Sequence, residues 1–298
     1  MTEFDTSAMT EQEQMAYIRS KLSDKWWRMN NLYMIENEQG KLVRFRLRPA
    51  QELLFRTMWY LNIILKARQL GFSTAIDIYL LDEALFNKNL KCGIIAQDLT
   101  AAGEIYRTKI EVPFDNLPGW LKAQFKVVTR RGGANGGHIL FRHGSSIQVA
   151  TSFRSGTVQR LHVSEHGKIC AKYPEKAKEV RTGTLNAIHP GAIAFIESTA
   201  EGVGGDFHTM SMKSLELSRS TGELTKLDWK FHFFAWWQDP KYRADVPASG
   251  VVMSKAQAEY FAAVEKAMSC TISDEQRQWY VLKEGTQRGE MKQEYPST

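Results

Sequence analysis

A short segment between an apolar stretch and a predicted helix combines basic, small and hydroxyl side chains. It reads Lys66-Ala67-Arg68-Gln69-Leu70-Gly71-Phe72-Ser73-Thr74. A strand, loop and helix in this order can bind a phosphate group, because they supply backbone N–H groups, a cation and a helix N-terminus. Compared with the pattern G-x-x-x-x-G-K-[ST], Lys66 stands at the first glycine and Phe72 at the lysine. We therefore predict a degenerate phosphate loop with its cation at the front. A basic loop that only caps a helix is the alternative.

An acidic residue ends a later apolar stretch, which reads Leu161-His162-Val163-Ser164-Glu165. A carboxylate in this place can orient or activate the water that attacks a terminal phosphate, and this role falls to Glu165. The residue before it would hold Mg²⁺ through water, and here it is Ser164 instead of the usual aspartate. The hydroxyl of Ser73 is the second predicted Mg²⁺ ligand. A surface acid at a strand end is the alternative for Glu165.

Three further residues fit a nucleotide site. Ser198 and Thr199 follow another apolar stretch, and small hydroxyl residues at a strand tip can sense the γ-phosphate and relay its loss. Gln51 carries an amide, which can pair with the adenine edge through one donor and one acceptor. A tight polar turn and a surface glutamine are the respective alternatives.

The elements that position these residues alternate between strands and helices. Predicted strands cover residues 61–65, 92–96, 161–163, 192–196 and 231–235, and predicted helices cover 73–86, 99 onward, 174–182 and 206–219. This alternation predicts an α/β fold of the P-loop NTPase type, with a mostly parallel β-sheet and helices on both faces.

Other elements surround this core. An N-terminal extension over residues 1–48 holds a helix within 10–30 that ends near Trp26 and Trp27, and a hairpin over 32–47. The core covers 49–250 and begins with a helix at Pro49, and a C-terminal segment over 251–298 holds two helices. A second hairpin covers 139–150. Residues 127–138 are rich in glycine and arginine, so we predict a mobile surface loop there.

Composition limits the class of protein. The chain has 298 residues and a formal net charge of +6, which suits a polyanionic partner. No apolar run approaches the roughly 20 residues of a membrane-spanning helix, and the polar N-terminus has no signal-peptide pattern, so a cytoplasmic protein is the default. The three cysteines form no CxxC pair, which makes zinc and disulfide frameworks unfavourable interpretations.

The order of these motifs resembles a known family. FRLRPAQ, KARQLGFST, LHVSEHGK, ESTAEG, FFAWWQDPKY and QEYPST follow one another over roughly residues 25–298. Together they resemble the ATPase part of the large terminase subunit, the DNA-packaging motor of tailed bacteriophages. The resemblance implies ATP and Mg²⁺ as cofactors and hydrolysis coupled to translocation of double-stranded DNA.

The resemblance also implies roles for single residues. Gln51 matches the adenine-reading glutamine, Lys66 the displaced lysine, and Glu165 the catalytic carboxylate. Arg68 matches the loop arginine, Gly71 and Ser73 match the cradle and the Mg²⁺ ligand, and Ser198 and Thr199 match the motif that couples hydrolysis to movement. Arg154 looks like the arginine that some relatives insert into a neighbour's site, with Arg160 and Arg181 as alternatives.

Partners follow from the same resemblance. We expect double-stranded DNA, a small terminase subunit and a portal protein as partners. The active form is expected to be a homo-oligomeric ring, with a monomer as the alternative in isolation. The expected location is the host cytoplasm, at the procapsid portal. Candidate DNA contacts are Lys122, Lys126, Arg130 and Arg131, unless they form only a solvated basic face. Full-length relatives continue into a nuclease, and because this sequence stops at Thr298 we expect no nuclease site. A helicase-like translocase and a catalytically weak ATPase-fold scaffold are the rival functions.

Overall fold

Strands and helices alternate along most of the chain in the computed structural model, which describes residues 10–153, 158–186, 188–220 and 223–298. The strands are β1 (Met34–Glu36), β2 (Leu42–Arg44), β3 (Leu61–Lys66), β4 (Lys91–Ile95), β5 (Val127–Gly133), β6 (Gly136–Phe141), β7 (Ser146–Ala150), β8 (Arg160–Ser164), β9 (Ile193–Ser198) and β10 (Trp229–Phe234).

The α-helices are α1 (Glu11–Ser23), α2 (Lys25–Asn31), α3 (Pro49–Thr57), α4 (Phe72–Phe86), α5 (Leu99–Ile105), α6 (Val112–Asp115), α7 (Gly119–Lys122), α8 (His166–Lys172), α9 (Pro174–Glu179), α10 (Gly205–Ser220), α11 (Lys255–Met268), α12 (Asp274–Gln287) and α13 (Met291–Glu294). Wider π-type turns cover Tyr106–Glu111 and Val180–Leu185, and 3-10 turns cover Trp236–Gln238 and Arg288–Glu290. Within the described ranges, no helix has both the length and the apolar character needed to cross a membrane.

The described residues group into two compact units. The first has its residues within 1–48, 74–151 and 157–161, and the second within 49–73, 152–156 and 162–298. The boundary therefore falls inside β8 and near the start of α4. The domain limits expected from the sequence stay predictions.

Parallel strands with continuous apolar runs build the second unit. Its strand order is β10-β3-β9-β8, and β3 pairs in parallel with both β10 and β9. The register sets Phe234 beside Lys66 and Leu65 beside Ser198. The carboxyl ends of parallel strands meet at one edge of the sheet, so the last residues of these strands lie close together. Ligand sites of α/β proteins lie at this edge.

Helices cover both faces of these strands. Successive side chains of a strand point to opposite faces, so Phe195 and Ser198 of β9 face different ways. Phe195 meets Phe55 of α3 edge-on, with ring centroids 6.3 Å apart. Gly167 of α8 lies against Ser198, because a Cβ atom added to Gly167 would stand 2.7 Å from the Ser198 Oγ. The α/β fold class predicted from the sequence is confirmed.

The first unit contains a mixed set of strands. Its strand order is β4-β7-β6-β5, in which β4 and β7 are parallel and the other two pairings are antiparallel. The predicted hairpin over residues 139–150 is thereby confirmed as β6 and β7.

The predicted mobile loop over residues 127–138 is wrong, since β5 and β6 form a hairpin there. Arg131 pairs with His138, and Gly133 pairs with Gly136. The glycines allow close packing instead of mobility. A Cβ atom on Gly132 would lie 2.3 Å from the ring of Tyr106, and one on Gly137 would lie 2.5 Å from it.

The N-terminal extension is also more broken than predicted. The single helix expected over residues 10–30 is divided at Asp24, whose backbone is extended with ψ 107°. Its carboxylate accepts hydrogen bonds from the N–H groups of Trp26 and Trp27 at 2.9 and 3.2 Å, so it begins α2 as an N-cap. The predicted N-terminal hairpin is confirmed as β1 and β2, which pair antiparallel.

A buried ion pair joins α2 to α4 in the first unit. Arg28 of α2 donates to both carboxylate oxygens of Asp82 in α4, at 2.9 and 2.7 Å, and the hydroxyl of Tyr33 donates to the same carboxylate at 2.7 Å. Asp82 is fully buried and Arg28 is 6% exposed. Losing one partner would leave an uncompensated buried charge.

We therefore predict that Arg28→Met lowers the free energy of unfolding by about 3–5 kcal/mol in urea titrations. The matched control is Arg107→Met, because Arg107 pairs with Glu36 at 3.4 Å on the surface. That change should cost less than about 1 kcal/mol. Equal losses for the two variants would contradict the assignment of Arg28 as the buried anchor.

Candidate active site

The ammonium group of Lys66 lies between two carboxylates at the carboxyl edge of the second unit's strands. Its Nζ is 3.0 Å from Oε1 of Glu165 and 3.1 Å from Oε2 of Glu197. Burial by itself lowers the pKa of Lys66, but the charges of Glu197 and Glu165 outweigh burial and raise that pKa above its ordinary value. A charged ammonium therefore stands where the sequence predicts the cation of the loop. That it binds phosphate stays a prediction.

Glu197 is a site residue that the sequence analysis missed. It is fully buried near the end of β9, and its Oε1 accepts hydrogen bonds from Ser73 Oγ at 2.6 Å and Ser164 Oγ at 2.9 Å. His162 Nε2 is 3.4 Å from the same oxygen. Burial raises the pKa of Glu197, but Lys66 above all, with these neighbours, holds it well below its ordinary value. The available signal was an acid that continues a buried apolar strand, where a charge needs partners.

Side-chain donors hold three consecutive carbonyl groups of the loop. The pairs are Tyr242 Oη with the Arg68 carbonyl, Lys241 Nζ with the Gln69 carbonyl, and Gln51 Nε2 with the Leu70 carbonyl at 3.0 Å. The C=O and N–H of one trans peptide point in opposite directions. The N–H groups of Gln69, Leu70 and Gly71 therefore face away from these donors, as an anion cradle requires.

The loop backbone is shaped for a tight turn. Gln69 and Gly71 have φ of 58° and 72°, in the left-handed region. A glutamine there is uncommon, so the surrounding hydrogen bonds must over-determine the turn. Ala67 is buried and donates its N–H to the carbonyl of Phe234 at 2.9 Å. Thr74 follows in α4.

Phe72 is a core residue. Its side chain is fully buried, and its ring centroid lies 4.4 Å from that of Phe234. A lysine at this position would place an ammonium group in apolar surroundings, which is costly. The second unit's packing thus explains the aromatic residue at the back of the loop, while Lys66 places a cation at the front.

Gln51 braces the loop from α3. It is 2% exposed, and its amide donates to the carbonyl of Leu70 at 3.0 Å. Its predicted contact with adenine stays a prediction.

Arg68 is held by the C-terminal segment. Its Nη1 is 3.1 Å from Oε2 of Glu294, and its backbone N–H donates to the Glu294 carbonyl at 2.9 Å. The Arg68 side chain is half exposed, so it can change partner without leaving a buried position. Its predicted role toward phosphate stays a prediction.

Glu165 occupies a strained turn between β8 and α8. Its φ of 55° and ψ of 45° are left-handed, which costs a non-glycine residue about 1–3 kcal/mol. Lys66 and Lys168 hold its two oxygens at 3.0 and 3.2 Å. The helix that follows, α8, was not predicted from the sequence. Strain of this kind concentrates at functional sites, and the catalytic role of Glu165 stays a prediction.

The predicted coupling residues lie against the first turn of α8. Ser198 and Thr199 are buried, and neither hydroxyl has a hydrogen-bond partner among the described residues. Ser198 fits against α8 because Gly167 has no Cβ atom to fill that space. Buried hydroxyls without partners cost about 1–3 kcal/mol each, so their presence calls for a functional explanation.

The predicted arginine of a neighbouring subunit, Arg154, lies outside the described residues. Of its alternatives, Arg160 pairs with Glu83 at 2.7 Å, and Arg181 pairs with Asp206. Which of the three arginines acts in trans stays a prediction.

The donor set fits a magnesium ion. Mg²⁺ prefers oxygen ligands and is usually held by one or two carboxylates together with substrate phosphates. Ser73, Ser164 and Glu197 offer two hydroxyls and one carboxylate, and Glu197 Oε1 contacts the two hydroxyls at 2.6 and 2.9 Å. Among the residues that the structure describes, no group of three or more His, Cys, Asp and Glu could hold a metal. These residues are therefore compatible with a Mg²⁺ site in which phosphate oxygens of a bound nucleotide complete the coordination.

Comparisons with known proteins give only distant similarity. No family model matches the chain, and no curated protein matches it. Similar solved structures include the large terminase ATPase domain of Thermus phage P74-26, with a TM-score of 0.49, 16% identity, and 85% of this chain and 94% of that chain covered.

Two other solved structures are less similar. A large terminase from a thermophilic bacteriophage has a TM-score of 0.41 and 14% identity, with 72% of this chain and 48% of that chain covered. A DEAD box protein of the hyperthermophile Methanococcus jannaschii has a TM-score of 0.37 and 14% identity, with 80% and 62% covered. Two of these three structures are large terminases, the family that the sequence motifs resemble.

The core position of Phe72 leads to a prediction. Phe72→Lys restores the usual loop pattern on paper, but we expect it to lower the free energy of unfolding by about 3 kcal/mol or more, since it removes a packed ring and buries an ammonium group. Phe72→Leu, the control, should cost less than about 1.5 kcal/mol. Urea unfolding measures both. A stable Lys variant with tighter nucleotide binding would show that position 72 faces the ligand.

His166 makes the second unit sensitive to acid. It is fully buried beside Phe207, and burial lowers its pKa from 6.5 to about 4, with a small opposing effect of Asp206. The unfolded chain therefore binds the proton first as the pH falls. The stability that neutral His166 contributes is complete above pH 6.5 and is lost toward pH 4.

We predict that His166→Leu removes part of this pH dependence. Between pH 6.5 and 4 the wild-type free energy of unfolding should fall by roughly 3 kcal/mol more than that of the variant. Urea titrations at several pH values measure the difference. The control Ile169→Val, in the same helix, changes no titrating group and should shift the curve equally at every pH. A parallel curve for His166→Leu would contradict the prediction.

Proposed function

We propose that this chain is an ATPase, and that it is the motor part of a DNA-packaging terminase. The observation that carries the proposal is the group formed by Lys66, Glu165 and Glu197 at the carboxyl edge of the strands. This group stands at the N-terminal end of α4, where Ser73 contacts Glu197. A cation, two carboxylates and a helix start together supply what phosphoryl transfer requires.

Each of these residues would have a separate role toward ATP. The N–H groups of the loop and the first turn of α4 cradle the phosphates, and Lys66 and Arg68 neutralise the β- and γ-phosphates. Ser73 and Ser164 would hold Mg²⁺, and the ion would supply charge neutralisation when bound. Glu165 orients the water for in-line attack.

Movement would follow from the contact between α8 and the turn after β9. Glu165 begins α8, and Gly167 in its first turn lies against Ser198. Loss of the γ-phosphate would release Glu165 and Lys66 and shift this contact. Ser198 and Thr199 would carry the shift to α10, which begins at Gly205.

The proposed partners are double-stranded DNA, the small terminase subunit and the portal protein. The proposed working form is a homo-oligomeric ring in which one subunit supplies an arginine to the site of its neighbour. Of the candidate DNA contacts, Arg130 is already held by Glu111 and Asp115, at 3.0 and 2.6 Å. Lys122 donates to the carbonyl of Asp115 at 2.8 Å. Lys126 and Arg131 are therefore the first positions to test for contact with the DNA backbone.

Two rival functions make different predictions. A helicase-like translocase would unwind a duplex as it hydrolyses ATP, whereas a packaging motor would not. A scaffold with an ATPase fold would bind no nucleotide at millimolar Mg-ATP. Duplex unwinding and nucleotide binding by the wild-type chain separate the three functions.

The role of Glu165 is tested by steady-state ATP hydrolysis, measured with and without double-stranded DNA over a series of protein concentrations. We expect Glu165→Gln to lower kcat by about 100-fold or more while ATP still binds, because a positioned base contributes roughly 10²- to 10⁴-fold. The matched control is Glu175→Gln, an exposed acid in α9. Unchanged hydrolysis by Glu165→Gln would remove Glu165 from the mechanism.

A further inference from the structure

The chain lacks an acid at the place where phosphate-loop ATPases hold their metal. Ser164 ends β8 there, and a hydroxyl carries no charge. Mg²⁺ is usually bound through one or two carboxylates in addition to substrate phosphates. If the proposed function holds, another residue must supply that carboxylate.

We infer that Glu197 is the metal-binding carboxylate of this site, in place of the missing acid at Ser164. Its Oε1 lies 2.6 Å from Ser73 Oγ and 2.9 Å from Ser164 Oγ, which are the two hydroxyls predicted from the sequence as Mg²⁺ ligands. The sequence selects those hydroxyls by their own places after β3 and at the end of β8, independently of Glu197. One buried carboxylate oxygen of Glu197 therefore lies beside both of the hydroxyls that were predicted to bind the metal.

Strand order explains why this carboxylate can replace one on β8. β9 lies between β3 and β8, and Glu197 is level with Ile64 of β3. A side chain at this level of the middle strand reaches Lys66, which ends β3, and Ser164, which ends β8. The negative charge has thus moved by one strand and still faces the same hydroxyls.

Charge balance gives the reason for a metal at this position. In the structure the fully buried Glu197 has Lys66 as its cation, at 3.1 Å. When Lys66 turns to the phosphates, Glu197 loses this counter-charge, and an uncompensated buried carboxylate is strongly unfavourable. A divalent cation held by Glu197 restores the balance. The alternative is that Glu197 serves only as the partner of Lys66.

The two roles are separated by measuring ADP binding by titration calorimetry, with excess EDTA and over a series of Mg²⁺ concentrations. For Glu197→Gln we expect Mg²⁺-free ADP affinity close to wild type, and a Mg²⁺ requirement raised by about 10-fold or more, since losing a ligand should cost at least as much as losing an outer-shell partner. The double variant Ser164→Asp with Glu197→Gln returns a carboxylate to the end of β8 and should recover most of the wild-type Mg²⁺ requirement. Glu216→Gln, an exposed acid of α10, is the control.

Each outcome has one meaning. A wild-type Mg²⁺ requirement in Glu197→Gln, or no recovery in the double variant, overturns the inference and leaves Glu197 as the partner of Lys66. If the wild-type chain binds no ADP with or without Mg²⁺, the proposed function itself fails. Circular dichroism checks folding of each variant. Should Glu197→Gln not fold, Glu197→Asp keeps the charge but shortens the side chain, and the same rise in Mg²⁺ requirement is expected of it.

Discussion

The site depends on one buried electrostatic arrangement, the ammonium of Lys66 held between Glu165 and Glu197. The charges of Lys66 and Glu197 would each be costly alone in a protein interior, and each stabilises the other, while Glu165 adds a second carboxylate contact to Lys66 at 3.0 Å. Three different elements supply them, since Lys66 ends β3, Glu165 follows β8 and Glu197 lies near the end of β9. The parallel register brings these ends to one edge, so the fold and the charge arrangement require one another.

This arrangement also shows how far sequence reasoning reaches. The strands and the loop were predictable because apolar runs alternate with helices, and Lys66 and Glu165 were selected by their place at strand ends. Glu197 was missed because only the hydroxyl residues of the ESTAEG motif, which Glu197 begins, were given a role, and its contacts depend on the parallel register between β9 and β3. Contacts across strands are not written in the local pattern of either strand.

The errors elsewhere have similar causes. Residues 127–138 were predicted as a loop because glycine usually signals mobility, but Gly132 and Gly137 make room for the ring of Tyr106. That ring lies far away in the sequence, in the π-type turn after α5. The break at Asp24 could have been predicted, because aspartate is a strong N-cap residue, but the surrounding residues also favour a continuous helix. Phe72 resembled a defect of the loop until its packing on Phe234 was known.

The same edge of the second unit concentrates unfavourable local terms. Glu165 has a left-handed backbone, and the hydroxyls of Ser198 and Thr199 are buried with no hydrogen-bond partner in the described part of the chain. If only the ligand-free state mattered, small changes of sequence would remove these energetic costs. A valine, for example, could replace a buried threonine whose hydroxyl makes no hydrogen bond. Strain and unpaired hydroxyls beside a charged group are instead expected when the ligand-bound state uses them.

The C-terminal segment is part of the same arrangement. Glu294 holds both the backbone and the side chain of Arg68, and Gln293 donates to Glu201, in the turn after β9, at 3.1 Å. The carbonyl of Pro296 accepts from the N–H of Trp236 at 3.3 Å. One short stretch of chain therefore contacts the loop that would bind phosphate and the turn that would sense it. If Arg68 turned toward a phosphate as proposed, it would give up its ion pair with Glu294, and the adjoining Gln293 would connect that change to the turn after β9.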